Sequence, residues 1–455
     1  MNIHFNFVSK ITKVVITDFE KNEITDYLLS IQNNIKLQQE LFRYCEKYKT
    51  APWVYLQMQK LAVFDLLEKS VQKSFSAIYE KTKKQNENRN KEAVRFLEEF
   101  VKNGVEVAIL KGNMLIHTTY HNSGYKRMND FDILIHKEDW VKVQNIYHKL
   151  GYIPLGFGWS GEKKEAAKFS HTGISFISPN FQCIVGTQWG LKSPTTKYND
   201  LIDLAWTQTE PFDFYGVPVK KLSTPFNLLH LVLHLGIFKC GIRDCMDIYN
   251  LLLTEKEIDK TEISELFRKA NASDKAYFAL VLSNLCSNSI SNDLLQEVKP
   301  QKNGFVMKRL KKRLKAAEEA GDLHISYNDY FQDIEKNVIY FNLFTKFHQR
   351  IGFLAKIIRQ IYFPKAKIAL RLSDSLHKPT FANLLKARLK APYYVFSLIA
   401  EEIGWKFSLL LFVKLFFDTL FSLKNYFFKQ ESYFSYLKKI GINPSEIEKV
   451  VKNIQ

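Results

Sequence analysis

Apolar residues recur mostly at three- and four-residue intervals through the first hundred positions, as at Leu56, Leu61, Phe64, Leu67 and Val71. That spacing predicts helices from Ile24 to about Asn103. The polar run Lys81 to Lys91 reads as a solvated helix face or a connection. A helix over Glu92 to Lys102 should stop at Asn103-Gly104, a common C-terminal signal. The pattern then shortens. Val105 to Leu110 reads as a strand that turns at Lys111-Gly112 into a helix running towards Tyr120. Phe131 to His136 reads as a second strand and Lys137 to Leu150 as an amphipathic helix closed by Gly151. Gly173 to Ser178 and Phe181 to Val185 add two strand-like runs around the turn Pro179-Asn180. From Ser223 to about Ile290 the helical pattern returns.

This order predicts an α+β fold: a core with a small mixed sheet, flanked by N- and C-terminal helical regions. The boundaries drawn are residues 1–103 (helical), 104–215 (core), 216–300 (helices packing on the core) and 301–455 (a basic, aromatic-rich helical tail). At 455 residues, the chain is long enough for more than one core. With only 18 Gly and 12 Pro, it favours long helices over a loop-rich β protein.

Charge narrows the range of partners. The formal net charge of +18 suits acidic ones: nucleotides, nucleic acid or an anionic membrane surface. The excess is uneven, with 27 Lys and Arg against 13 Asp and Glu from Gln301 onward. No nucleic-acid reading module is evident, so nucleic acid ranks last. The five cysteines (Cys45, Cys183, Cys240, Cys245 and Cys286) lack zinc spacing and read as free thiols of a reducing cytosol. No secretory leader is expected at the N-terminus. Pro392 to Leu423 is too often interrupted by charge to span a bilayer.

The chemistry concentrates between Val107 and Ile135. Strand side chains alternate, so Asp130 and Asp132 should project together while Phe131 and Ile133 face the core. Two adjacent carboxylates repel unless a cation lies between them, and hard oxygen ligands suit Mg²⁺ together with substrate phosphates. Upstream, Lys111 adds a positive charge, Gly112 permits close backbone approach, and a helix start offers N–H groups to phosphate. Arg127 is a further cation beside them. An isolated Asp-x-Asp also fits an ordinary solvated strand end; the strand, Lys-Gly turn and helix ahead of it favour the site.

Leu110-Lys111-Gly112, Arg127-x-x-Asp130-x-Asp132 and Gly151-Tyr152 resemble an uncharacterised bacterial nucleotidyltransferase family of the polymerase-beta-like superfamily. The resemblance covers about Leu41 to Leu252. It implies that Asp130 and Asp132 are catalytic and bind Mg²⁺. It further implies that a nucleotidyl group passes from a nucleoside triphosphate such as ATP to an acceptor hydroxyl. Some relatives serve polysaccharide or peptide natural-product pathways, and the acceptor is generally unidentified: a small molecule, a saccharide or a lipid-linked group. Relatives usually carry a third carboxylate on a later strand, often as Asp-x-His-Trp. The counterpart here is Gly186-Thr187-Gln188-Trp189, with Glu162, Glu165 or Asp203 as substitutes. Without one, the chain would be a degenerate nucleotide-binding or scaffold protein.

A second cluster lies on expected helices, with His230 and His234 one turn apart and Arg243 and Asp247 likewise. These read as two partly buried histidines and an intrahelical ion pair, with Arg243 a minor nucleotide-binding candidate. Phe407 to Ser422 reads as ordinary packing or as an interfacial helix attracted to anionic lipid. The location expected is cytoplasmic, with peripheral membrane contact through the C-terminal region as an alternative.

Overall fold

The computed structural model describes residues 3–155, 170–192, 194, 196–235, 241–255 and 259–300, together with stretches between 307 and 447. Glu162, Glu165, Cys240 and nearly all of Phe407 to Ser422 lie outside the described residues.

Five helices come first: α1 (Ile3–Ile11), α2 (Asp18–Ile31), α3 (Ile35–Lys47), α4 (Ala51–Lys60) and α5 (Lys69–Lys102). Thr17 starts α2 with a capping box, its side chain bonded to the Glu20 amide while Glu20 reaches back to the Thr17 amide. α5 absorbs the polar run Lys81 to Lys91 into one helix of 34 residues. That run is not simply a solvated face. Thr82, Asn86, Arg89 and Asn90 continue the buried stripe set by Val71, Phe75 and Tyr79 and resumed by Ala93, Phe96 and Phe100.

After α5 come β1 (Val107–Ile109), α6 (Lys111–Leu115), β2 (Phe131–Ile135), α7 (Trp140–Lys149), β3 (Ile153–Pro154), β4 (Phe176–Ile177) and β5 (Ile184–Gln188). α6 continues as a wider π-helical turn over Ile116–Tyr120. Then follow α8 (Ile202–Thr207), β6 (Thr209–Phe214), β7 (Val217–Leu222), α9 (Thr224–His234), α10 (Ile242–Thr254), α11 (Lys260–Lys269), α12 (Ser273–Ser287) and α13 (Asn292–Glu297). The strands form one mixed sheet in the order β3-β4-β5-β2-β1-β7-β6. β2 runs parallel to β5 and β1 parallel to β7, and the remaining pairs are antiparallel.

The β6–β7 hairpin carries the sheet on to Leu222, past the position 215 drawn from sequence. Its two-residue turn places Tyr215 at φ 52° and Gly216 at φ 87°. Both positive values are what a type I′ turn demands, and Asp213 braces it by accepting from the Gly216 amide. A tyrosine at the first turn position hides this hairpin from a search for Asn-Gly.

One face of the sheet is apolar. Phe131 packs edge-on to Phe96 of α5 and Phe214 of β6, and Tyr147 of α7 bonds to Thr187 of β5. A smaller cluster gathers Ile153, Ile177, Ile184, Leu437 and Ile447, and one large hydrophobic core runs from Phe5 through Phe96, Ile133, Leu229 and Phe278 to Leu310. Beyond it lie helices over Phe347–Tyr362 and Phe381–Ile403, with Ile358, Phe381 and Leu389 exposed. Among the described residues no helix is long and apolar enough to cross a membrane.

Candidate functional site

The other face of the sheet is polar where β1 leaves it. The Leu110 amide donates to the Asp132 carbonyl, and the chain then turns at Lys111, whose φ is +53°. A left-handed conformation costs a residue with a side chain on the order of 1 kcal/mol and clusters at functional turns. Here it accompanies an ion pair: Lys111 Nζ lies 3.0 Å from Asp132 Oδ2. Asn113, on the same turn of α6, donates to the Asp130 carbonyl at 3.2 Å. Gly112 is closely approached by protein atoms: a Cβ there would lie 2.6 Å from Met128 Sδ and 3.2 Å from the Tyr125 hydroxyl.

Asp130 and Asp132 are electrostatically linked. Burial and, after it, the Asp132 charge raise the Asp130 carboxyl to about 6, against the opposing pull of Lys111 and Arg89. Asp132 is 7% exposed, with its other oxygen accepting from Gln188 Nε2 at 3.1 Å. The parallel register places Gly186 directly opposite Asp132 and Gln188 opposite Leu134. Gly186 therefore occupies the place beside the aspartates where a further carboxylate would stand. It has no room for one as the site is arranged, since a Cβ would sit 2.7 Å from Asp132 Oδ1. Asp203 lies elsewhere, lining a cavity with Ile135, His136 and Glu138 at the far end of β2.

Among the described residues no three His, Cys, Asp or Glu side chains are grouped to hold a metal. The donor set at the aspartates is nonetheless of the kind Mg²⁺ uses. It comprises two carboxylates and two buried amide oxygens without hydrogen-bond partners, Asn113 Oδ1 and Gln188 Oε1. Mg²⁺ commonly takes one or two protein carboxylates and completes its shell with water and substrate phosphate.

The loop before the aspartates is held from α5. Asn86 donates to the carbonyls of Ser123 and Lys126, and Arg89 donates to the Met128 carbonyl at 2.7 Å. Arg89 is thus a cation behind Asp130 that sequence reasoning missed. Its signal was a polar residue recurring on an otherwise apolar helical stripe. Arg127 is exposed, and its carbonyl accepts from Arg243 at 3.0 Å, so the two arginines sit at one edge of the loop. The expected Arg243–Asp247 ion pair does not form. Asp247 instead pairs with Lys126 and accepts from the Tyr120 hydroxyl at 3.0 Å, because the loop lysine reaches it inside the core.

His230 and His234 on α9 face the same region, their rings 6.5 Å apart. Lys111 lowers the affinity of both for a proton, and burial does the same. His171 feels Lys192, Lys111 and Asp132 and, chiefly through burial, is pushed down to about 4. It also lines the cavity of about 280 Å³ that contains Asp203, Trp189 and Trp206. His171 therefore both lines this cavity and feels the charge of Asp132.

With this geometry in view, the comparison with known families is decisive. A family model described as uncharacterised nucleotidyltransferase matches residues 36–288. The chain belongs to that family. The match spans α3 to α12 and so includes the sheet, both aspartates and the α9 histidines. A search of curated proteins returned no significant match.

Proposed function

We propose that this nucleotidyltransferase-family protein transfers a nucleotidyl group from a nucleoside triphosphate to a hydroxyl of a small-molecule, saccharide or lipid-linked acceptor. The observation that carries the reading is the Asp130–Asp132 pair, held beside Lys111 with the Asp130 carboxyl raised to about 6 by burial and by the charge of Asp132. Mg²⁺ would be held by Asp130 and Asp132, where it supplies charge neutralisation for the triphosphate. Lys111 exchanges its bond to Asp132 for one to a phosphate oxygen. Arg127 and Arg243 steer the anion towards the mouth of the site. The acceptor, lodged in the cavity past His171, presents its oxygen to the α-phosphorus. A new P–O bond forms there as the bond to the leaving pyrophosphate breaks, and the hydroxyl proton passes to water.

One observation favours a second reading, binding without turnover. Gly186 faces Asp132 with no carboxylate in the place where a base would activate the acceptor. The two readings part experimentally. Binding of nucleoside triphosphates with Mg²⁺ is expected for wild type and at least ten-fold weaker for Asp130→Ala/Asp132→Ala. Equal binding by both proteins defeats both readings. Release of pyrophosphate across a panel of sugar, alcohol and lipid acceptors supports transfer. Its absence from a chain that binds the nucleotide supports the second reading.

A further inference from the structure

The two helices beyond the main core are inverted in what they bury. In Phe381–Ile403 the residues turned inward are small: Ala387 is 1% exposed and Ala391 0%. The large apolar residues face out, with Phe381 83% and Leu389 75% exposed, Leu385 exposed between them and Tyr393 beyond. Their four-residue spacing sets these side chains along one side of the helix. A helix that packs only within its own protein carries the opposite pattern, with its large apolar side chains inward. Phe347–Tyr362 packs against this helix and repeats the arrangement. Ile351, Ile358 and Tyr362 lie on one exposed side, and Phe363 follows them, exposed as well. Single exposed apolar residues are ordinary, but stripes that follow the helical period on two packed helices mark a contact surface.

Charge identifies what this surface meets. The first helix carries Arg350, Lys356 and Arg359 and no acidic residue. The second carries Lys386, Arg388 and Lys390 and reaches its acidic residues, Glu401 and Glu402, only in its last turn. Lys386 and Lys390 are exposed, and each directly follows a residue of the apolar stripe. A second copy of the chain would set these cations against their own kind, and a purely apolar protein face would leave them unmatched. An anionic lipid surface answers both features. Its acyl boundary takes the apolar stripes, and its headgroups take the lysines and arginines. Neither helix is long and apolar enough to cross a bilayer, so the contact lies along its surface.

We propose that the helices Phe347–Tyr362 and Phe381–Ile403 form an interfacial surface that seats this protein on anionic membranes. The stripes lie upstream of Phe407 to Ser422, the stretch whose sequence suggested such contact. The surface rests on its own residues and not on the nucleotide reading above. Joined to that reading, it favours a lipid-linked acceptor over a freely diffusing one.

The test is flotation of the full chain with vesicles of phosphatidylcholine alone and of phosphatidylcholine mixed with phosphatidylserine. Wild type is expected to bind the serine-containing vesicles about ten-fold more tightly and to lose that advantage in high salt. Leu385→Ser/Leu389→Ser is expected to weaken binding to them by about ten-fold. Lys386→Gln/Lys390→Gln is expected to do the same, and Lys386→Arg/Lys390→Arg to restore it. Should a variant fail to fold, hydrogen exchange of wild type supplies the same reading: the mixed vesicles should slow exchange in residues 381–393 and leave α1 to α5 unchanged. No flotation by wild type, equal binding to the two kinds of vesicle, or equal binding by wild type and the Ser variant overturns the proposal. So does a dimer in sedimentation that Leu385→Ser/Leu389→Ser dissolves without lipid, since the face then belongs to a second copy. No nucleotide enters these measurements. Failure here leaves triphosphate binding by Asp130 and Asp132 standing, and loss of that binding leaves the membrane surface standing.

Discussion

Two buried lysine–aspartate pairs in this molecule differ in how completely they are satisfied. In the Lys126–Asp247 pair the side chains are 10% and 8% exposed, and in the Lys111–Asp132 pair 15% and 10%. Asp247 also accepts from the Tyr120 hydroxyl, and Lys126 lies 5.5 Å from the centre of the Tyr125 ring. Asn250 bonds to the same Tyr120 hydroxyl and to the Thr12 carbonyl, tying the pair to the N-terminal helices. This closed network braces the core. Asp132, by contrast, stands beside a second carboxylate, and its Gln188 partner has a carbonyl oxygen left over. Its lysine sits in a left-handed backbone conformation. Similar residues at similar depth thus give a fully bonded pair in one place and an incompletely satisfied one in the other.

Substitutions should widen that contrast. Lys126→Met strands the Asp247 carboxylate in the core and is expected to cost about 3–5 kcal/mol in chemical denaturation. A loss below about 1 kcal/mol would mean that the network is not a brace. Asp130→Asn should act in the opposite direction. Its carboxyl is raised to about 6 in the fold, so the folded chain binds the proton more tightly than the unfolded one. The resulting penalty is absent below about pH 4, grows as pH rises towards 6 and is complete above it. The variant should therefore be more stable than wild type by about 1–3 kcal/mol at pH 8, with no difference near pH 4. Melting curves across that range check both the sign and the window.

Lys111→Met should lower stability by only about 1 kcal/mol, because Asp132 keeps its bond to Gln188. A loss as large as that of Lys126→Met would erase the distinction between the two pairs. The smallest expected change is Gly186→Ala. Its Cβ meets only the end of the Asp132 side chain, which can rotate away, so less than about 1 kcal/mol should be lost. The Mn²⁺ affinity of the same variant, followed by spin relaxation of the metal, should fall several-fold as Asp132 is displaced.

Much of the site could be read from local pattern. The turn at Lys111-Gly112, the alternation through Asp130, Phe131, Asp132 and Ile133, and the absence of an acidic residue at Gly186 are properties of short stretches of chain. The strand register sets Gly186 against Asp132. The less legible parts depend on distant residues meeting. Arg89 acts on a loop beginning more than thirty positions later, and Lys275 meets Lys192 only because α12 packs against the end of α9. Local periodicity contains no record of such meetings. Asp247 shows the same limit: its helical neighbour Arg243 is the partner expected from spacing, yet the three-dimensional path brings Lys126 to it.

The grip of Asn86 and Arg89 on the loop from Ser123 to Met128 also bears on how tightly a ligand can be held. Fixing the backbone of a loop residue costs about 1–2 kcal/mol in conformational entropy. A loop that orders only on contact with a ligand loses that much of its affinity. Here the loop is anchored by side chains of α5, whose own packing does not depend on a guest. Release of that grip by Asn86→Ala should appear as a slower, ligand-dependent ordering step in hydrogen exchange of residues 122–128, with the aspartates themselves untouched.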